Sequence, residues 1–317
     1  MKTNVKEKSG RLFSFMAAIT LAIATLPCTA CPNNAGGSGG KTYTVGGISF
    51  TMKSINDVTD KSIGHSDESN NVPHSISLSA YLIGETEVTQ ELWEKVMGAE
   101  NNPSNFKGSS YPPDSNEVQG KRPVEKVSWY ECIAFCNELT KQVSGLGTGE
   151  CVYYGDASLN AVYTVADAAS YKDPHVKWSA KGFRLPTEAE WEWAATGGTE
   201  DKWAGTDEKN ELVNYAWYKN NDGGDANGKT HEVKKKTANS YGLYDMSGNV
   251  WEWCWDRYGN LPDPMEKDYT GPISGSPRIF RGGCWGSNAD YAARSFRYGR
   301  NPAYYDINLG LRLVSRF

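Results

Sequence analysis

Seven cysteines and four histidines are the side chains from which nucleophilic or metal chemistry would first be built in this chain of 317 residues. Their spacing argues against both. His65, His74, His175 and His231 are scattered and accompany no nucleophile motif, so serine-hydrolase chemistry is set aside and the rings read as surface or structural groups. Cys132, Cys136, Cys151, Cys254 and Cys284 form an odd set with no C-x-x-C pair. Cys132 and Cys136 would stand one turn apart on a helix, but without a second pair they do not make a zinc site, and packing is the expected role. Three glutamates in RLPTEAEWEWAA, residues 184–195, invite a paired-carboxylate reading. Caps and solvated charge near a helix start explain them without acid/base chemistry.

What remains is a surface. From Arg281 the chain runs RGGCWGSNADYAARSFRYGRNPAYYDINLGLRLVSRF, interleaving Tyr, Asn, Ser, Asp, Gly and Arg with apolar residues, the composition of a contact surface. From Gly286 onward Lys, Glu, Gln, Met and Trp are missing, although Asp and Arg occur. Randomising the first two bases of an Asn codon that ends in a pyrimidine gives Asn, Ser, Asp, Tyr, Gly, Ala, Arg, Phe and Ile. It never gives those five types or a stop. A small buried C-terminal core is the other way to lose long polar residues.

The elements that must hold such a surface are sparse. Residues 43–52 and 74–83 alternate apolar and polar side chains as half-buried strands do. Thr89 caps a short helix with Leu92, Trp93 and Val96 on one face, closed by Gly98. Ser128 with Glu131, and Thr187 with Glu190, are capping boxes that open two more helices. Later, Gly, Asn, Tyr and Trp dominate and only short strands are expected, such as 310–314. The fold class is therefore α+β with little regular secondary structure, held by buried aromatics and by side-chain to backbone hydrogen bonds.

At the N-terminus, Lys2, Lys6, Lys8 and Arg11 precede an apolar run, 12–26, and small residues. That pattern is an export signal, and we assign 1–30 to it. Ala30 precedes Cys31, the expected lipidated residue, with Cys28 as the competing site. Residues 31–42, including PNNAGGSGG, read as a flexible tether. One domain, 43–317, follows. The expected location is exported and lipid-anchored at the outer membrane or cell surface. A net charge of −5 and no basic stripe exclude a nucleic-acid partner.

Five stretches, ETEVTQELWEKVMG from Glu85, RPVEKVSWYECIAFCNELT from Arg122, FRLPTEAEWEWAA from Phe183, GLYDMSGNVWEWCWD from Gly242 and RGGCW from Arg281, resemble in order the formylglycine-generating enzyme (sulfatase-modifying factor) family. The resemblance implies that family's variant of the C-type lectin fold. Active members oxidise a substrate cysteine with oxygen through two copper-binding cysteines downstream of the Arg-Gly-Gly motif. Alignment on Arg281, Gly282 and Gly283 puts Ser287 at the first of these, and the short stretch to Ala292 and Ala293 offers no second. A hydroxyl cannot replace a soft thiolate ligand, so neither oxidase activity nor copper is expected. The family's calcium site maps to Asp245, Gly248, Val250 and Glu252, two carboxylates and two backbone carbonyls.

With an export signal and no catalytic pair, the chain also resembles the variable proteins of diversity-generating retroelements. That likeness implies a ligand-binding region, 281–317, varying at Ser287, Asn288, Asp290, Tyr291, Phe296, Tyr298, Arg300, Asn301, Ala303, Tyr304, Asp306 and Asn308. Trp285, Arg297, Leu309, Gly310, Leu311 and Arg312 would be its frame. The partner would be a protein or glycan on another cell or a host. The competing readings are a formylglycine-generating (sulfatase-modifying) oxidase and an exported carbohydrate-binding module.

Overall fold

The computed structural model describes Met1 and residues 36–317; the export signal, Cys31 and the first part of the tether lie outside the described residues. A hairpin opens the domain, with β1 (Gly36–Val45) antiparallel to β2 (Ile48–Ile55). Gly46 and Gly47 turn it at φ 52° and 90°, so the alternating run 43–52 is two strands and not one. β1 also takes in the Gly-rich segment assigned to the tether. Gly36 pairs with Ile55 and Gly40 with Lys53, and a Cβ on Gly40 would meet the Met52 carbonyl oxygen at 2.7 Å. Glycine there permits close strand pairing, and residues 36–42 belong to the sheet.

β3 (Val58–Ile63) pairs with β4 (His74–Leu78), and β5 (Tyr81–Gly84) joins β2. The run 74–83 breaks at Ser79, whose N–H and hydroxyl both donate to Asp268 at 2.6 and 2.7 Å. Helices α1 (Gln90–Met97) and α2 (Trp129–Gln142) then form behind the Thr89 cap and the Ser128–Glu131 box. After β6 (Tyr153–Tyr154), α3 (Val165–Ala169) and β7 (His175–Val176), the Thr187–Glu190 box opens α4 (Glu188–Thr196). Residues 197–250 carry only short 3-10 turns. Side chains hold them: Asn239 donates to the Ala194 carbonyl at 2.8 Å and accepts from the Tyr241 and Leu243 N–H groups.

The chain closes with β8 (Trp251–Arg257), β9 (Arg278–Arg281), β10 (Tyr298–Arg300), β11 (Leu309–Leu311) and β12 (Val314–Ser315). Two four-stranded sheets result, ordered β1-β2-β5-β12 and β10-β9-β8-β11, with β11 parallel to β8. The expected strand 310–314 is thus split, and Arg312 lies between its halves at the junction of the two sheets. Trp129 and Trp253 fill the core from α2 and β8, each indole N–H donating to a carbonyl, Cys254 at 2.9 Å and Val127 at 3.0 Å. All five cysteines described are free and buried. Among the described residues the architecture is α+β, with four helices and several small sheets.

The α4 glutamates are not solvated. Glu188 is held by Arg297 at 2.6 and 2.8 Å, Glu190 by Arg184 at 2.6 Å, and Glu192 by Arg281 and Arg294, all buried. Arg184 lies six residues before Glu190, but Arg281, Arg294 and Arg297 come from the C-terminal segment, so local sequence could not show those pairings. Asp256 accepts from the Glu188 N–H at 2.8 Å, and burial, then the Glu188 charge, pushes its carboxyl up to about 8. The native state therefore binds a proton there that the unfolded chain has released, from about pH 4 to about pH 8, and stability falls as pH rises through that window. Asp256→Asn, a neutral isostere, should flatten the decline in Tm between pH 5 and 8.5 in a calorimetric series; an unchanged slope would exclude this group as its source.

Candidate functional site

The C-terminal segment leaves β9 at Arg281 and passes through two glycines at positive φ, 96° and 74°. It then wraps around a cleft of about 520 Å³. Eight of the twelve positions assigned to a variable surface line it: Ser287, Tyr291, Phe296, Tyr298, Arg300, Tyr304, Asp306 and Asn308. Trp251, Phe280 and Leu309 form its apolar base, with Cys284, Trp285 and Gly286 beside them. Trp251 and Phe280 sit edge to face at 5.3 Å, and Phe280 lies 5.4 Å from Tyr298. Their roles were invisible in sequence because Trp251 and Phe280 stand on β8 and β9, outside the segment that follows Arg281.

The mouth is ordered and polar. The Arg300 guanidinium sits over the Tyr298 ring at 5.0 Å and the Tyr304 ring at 5.6 Å. Tyr304 donates its hydroxyl proton to Asp306 at 2.6 Å, and that bond, ahead of burial, pushes the phenol up to about 12. Asp306 also accepts the Ile307 N–H at 2.7 Å. Tyrosines stacked on a guanidinium lose little further freedom on binding, which favours affinity.

Four assigned positions stand apart. Asn288 and Asp290 are exposed outside the cleft, Asp290 pairing with Lys202 at 3.1 Å. Asn301 accepts the Ala303 N–H at 2.9 Å, and Ala303 borders a separate hollow with Tyr305. Ser287 lines the cleft but is buried, its hydroxyl accepting from the Cys284 N–H at 3.0 Å and lying 3.2 Å from Cys284 Sγ. Among the described residues, Cys284 is the only thiol on the cleft. Burial raises its pKa, the Ser287 hydrogen bond opposing.

The frame beneath is electrostatic. Arg281 Nη1 donates to the carbonyls of Ser295 at 2.9 Å and Phe296 at 2.6 Å, fixing the segment from below. Arg297, tied to Glu188, also donates to the carbonyls of Asn70 and Gly259, each at 3.1 Å. Trp285 is half-buried and anchored through its backbone N–H to the Asn249 carbonyl at 2.8 Å, its indole N–H donating to the Ile307 carbonyl at 3.3 Å. Arg281 and Arg297 face inward, beneath a rim whose polar tips are bonded among themselves.

The residues assigned to a calcium site, Asp245, Gly248, Val250 and Glu252, do not line the cleft. Asp245 sits at φ 57° and Gly248 at φ 86°, where a Cβ would strike the Trp217 carbonyl oxygen at 2.2 Å. Asp245 Oδ2 accepts the Lys234 N–H at 2.9 Å, while Oδ1 is buried without a partner. Glu252 is committed: Arg312 donates to it at 2.7 to 3.1 Å and Trp191 at 2.6 Å. A third carboxylate, Glu87, was missed in sequence. It accepts from Asn249 Nδ2 at 3.2 Å and the Val250 N–H at 3.3 Å. Burial, then Asp245 and Glu252, raises the Glu87 pKa well above the ordinary range. Burial likewise pushes Asp245 up to about 6. Glu87 and Asp245, buried with raised pKa and one orphaned oxygen, have the hard-oxygen chemistry of a divalent cation site, with Glu252 already bonded to Arg312 and Trp191.

Similarity to known proteins agrees with this architecture. A structure described as Treponema denticola variable protein 1 superposes with a TM-score of 0.79 at 50% identity, covering 88% of this chain and 99% of that one. A Paenibacillus barcinonensis protein described as chaperone protein LppX is 34% identical over 76% of this chain and 81% of its own length. An inactive C-alpha-formylglycine-generating enzyme 2 from Bos taurus is 34% identical over 61% of this chain, which spans 58% of that relative. The sulfatase-modifying factor enzyme 1-like domain matches residues 31–317, and the chain belongs to that family.

Proposed function

We propose that this chain is a non-catalytic, lipid-anchored cell-surface protein that binds protein or glycan ligands through its C-terminal cleft, with the lining residues diversified. The observation that carries the reading is the convergence of eight independently assigned positions on one aromatic cleft over a buried Arg–Glu frame. Similarity to a protein described as variable supports diversification. Catalysis is disfavoured by the lone cleft thiol, which is buried and has a raised pKa; buried thiols of that kind are inert. Panning the purified chain against arrayed surface proteins and glycans tests the reading. A captured ligand should be held more weakly after Tyr298→Ala, and capture that survives replacement of every cleft tyrosine would refute it. The competing oxidase reading requires formylglycine to form in a cysteine peptide supplied with copper and oxygen; none should appear.

Calcium is part of the same proposal. Asp245 and Glu87 would hold the ion, with the Gly248 and Val250 carbonyls, and Glu252 would supply charge while remaining bonded to Arg312. The ion would neutralise the carboxylates and stiffen the loop beneath the cleft. Calorimetric titration of the chelator-treated chain should show one calcium per molecule. Asp245→Asn and Glu87→Gln should each remove it, whereas equal uptake by both variants would place calcium elsewhere.

A further inference from the structure

His231 is fully enclosed, and its ring lies on Trp217 with centroids 3.8 Å apart and planes at 14°. Its Nε2 is 2.9 Å from the Ala226 carbonyl oxygen. A carbonyl only accepts, so Nε2 carries the ring proton and Nδ1 is left to face the carboxylates. Nδ1 stands 2.7 Å from Glu117 Oε1 and 3.7 Å from Asp114 Oδ2, and one ligand atom from each residue lies within 4.8 Å of the others. The Glu117 side chain is 3% exposed, and its second oxygen is buried with no partner. A second proton on His231 would satisfy only Oε1. A cation seated among the three groups satisfies the imidazole lone pair and draws in the orphaned oxygen as well.

We propose that Asp114, Glu117 and His231 form a zinc-type metal site, with Nδ1 and one oxygen from each carboxylate as ligands and water completing the shell. Imidazole nitrogen and carboxylate oxygen are both zinc ligands, and three protein donors with an open position are the pattern of an open zinc site. The bond from Nε2–H to a backbone carbonyl is the outer support that metal-bound histidines usually show. Asp114 is already divided for the purpose: Lys229 holds Oδ1 at 2.5 Å, while Oδ2 faces His231. Its side chain is 45% exposed and gives an ion its way in. Lys229 and Arg122 also neighbour Asp114, which weakens cation binding without blocking Oδ2.

Cobalt titration of the metal-stripped full chain, followed by visible absorption, tests the site. One equivalent should bind with a nitrogen and oxygen spectrum, without a thiolate band, and zinc but not saturating calcium should displace it. Asp114→Asn and Glu117→Gln should each weaken binding at least about tenfold, the low end of the cost of losing even an outer partner. His231→Gln should abolish it, with thermal unfolding confirming that the variant is folded. Absence of saturable binding, a thiolate spectrum, or affinity unchanged in both Asp114→Asn and Glu117→Gln would overturn the proposal.

Discussion

Arg312→Met should cost the fold about 3–5 kcal/mol, the penalty of stranding a buried charge whose partner has been removed. Arg312 is fully buried and binds Glu252 through three contacts of 2.7 to 3.1 Å, then ties in the Gly84 and Tyr244 carbonyls at 2.9 and 2.8 Å. It sits between β11 and β12, so it joins the two sheets, and it is the guanidinium set against Glu87, Asp245 and Glu252. Methionine fills the space but leaves Glu252 with only the Trp191 N–H. For a domain of this size the loss corresponds to roughly 6–10 °C in Tm. The double variant Arg312→Met with Glu252→Leu should be more stable than the single one, because the stranded charge is gone. A single variant within about 1 kcal/mol of the parent, too small for a buried pair, would show the pair to be dispensable.

Tyr298→Ala and Tyr304→Ala should each weaken a captured ligand by about 2 kcal/mol, the scale of an interface hot spot. That is roughly 30-fold in Kd. Both rings are partly exposed, 39% and 37%, and both flank Arg300, so removing either opens the clamp while leaving the core intact. Unfolding should therefore shift by less than about 1 kcal/mol, in line with exposed substitutions. Asp290→Ala is the contrast: its carboxylate lies outside the cleft, held by Lys202, and affinity should change by less than about 0.5 kcal/mol. Equal losses at Asp290 and Tyr298, measured by surface plasmon resonance, would mean that the cleft is not the contact.

Local chemistry was legible and long-range pairing was not. The Thr89, Ser128 and Thr187 caps follow from residues three apart, and all three open helices. Arg297 lies 109 residues from Glu188, and Asn249 lies 162 from Glu87, so neither the buried network under the cleft nor the third carboxylate had a local signal. PNNAGGSGG read as a tether because glycine suits linkers, yet Gly40 is needed where β1 passes the backbone of β2. The cleft residues themselves were legible through their composition, since tyrosines and short polar residues kept out of the core announce a surface. The four that fall outside the cleft were not separable, because direction around a loop has no period to read. His231 gave no hint of Asp114 and Glu117, which lie more than a hundred residues upstream.

The central claim is that this cleft recognises ligands and is varied for that purpose. Sequencing the 3′ end of the gene from many clones of one strain tests it most directly. Substitutions should concentrate at the cleft positions, Tyr291, Phe296, Tyr298, Arg300, Tyr304, Asp306 and Asn308 foremost, and spare Trp285, Arg297, Leu309, Gly310, Leu311 and Arg312. A uniform sequence, or changes spread equally over cleft and frame, would contradict it.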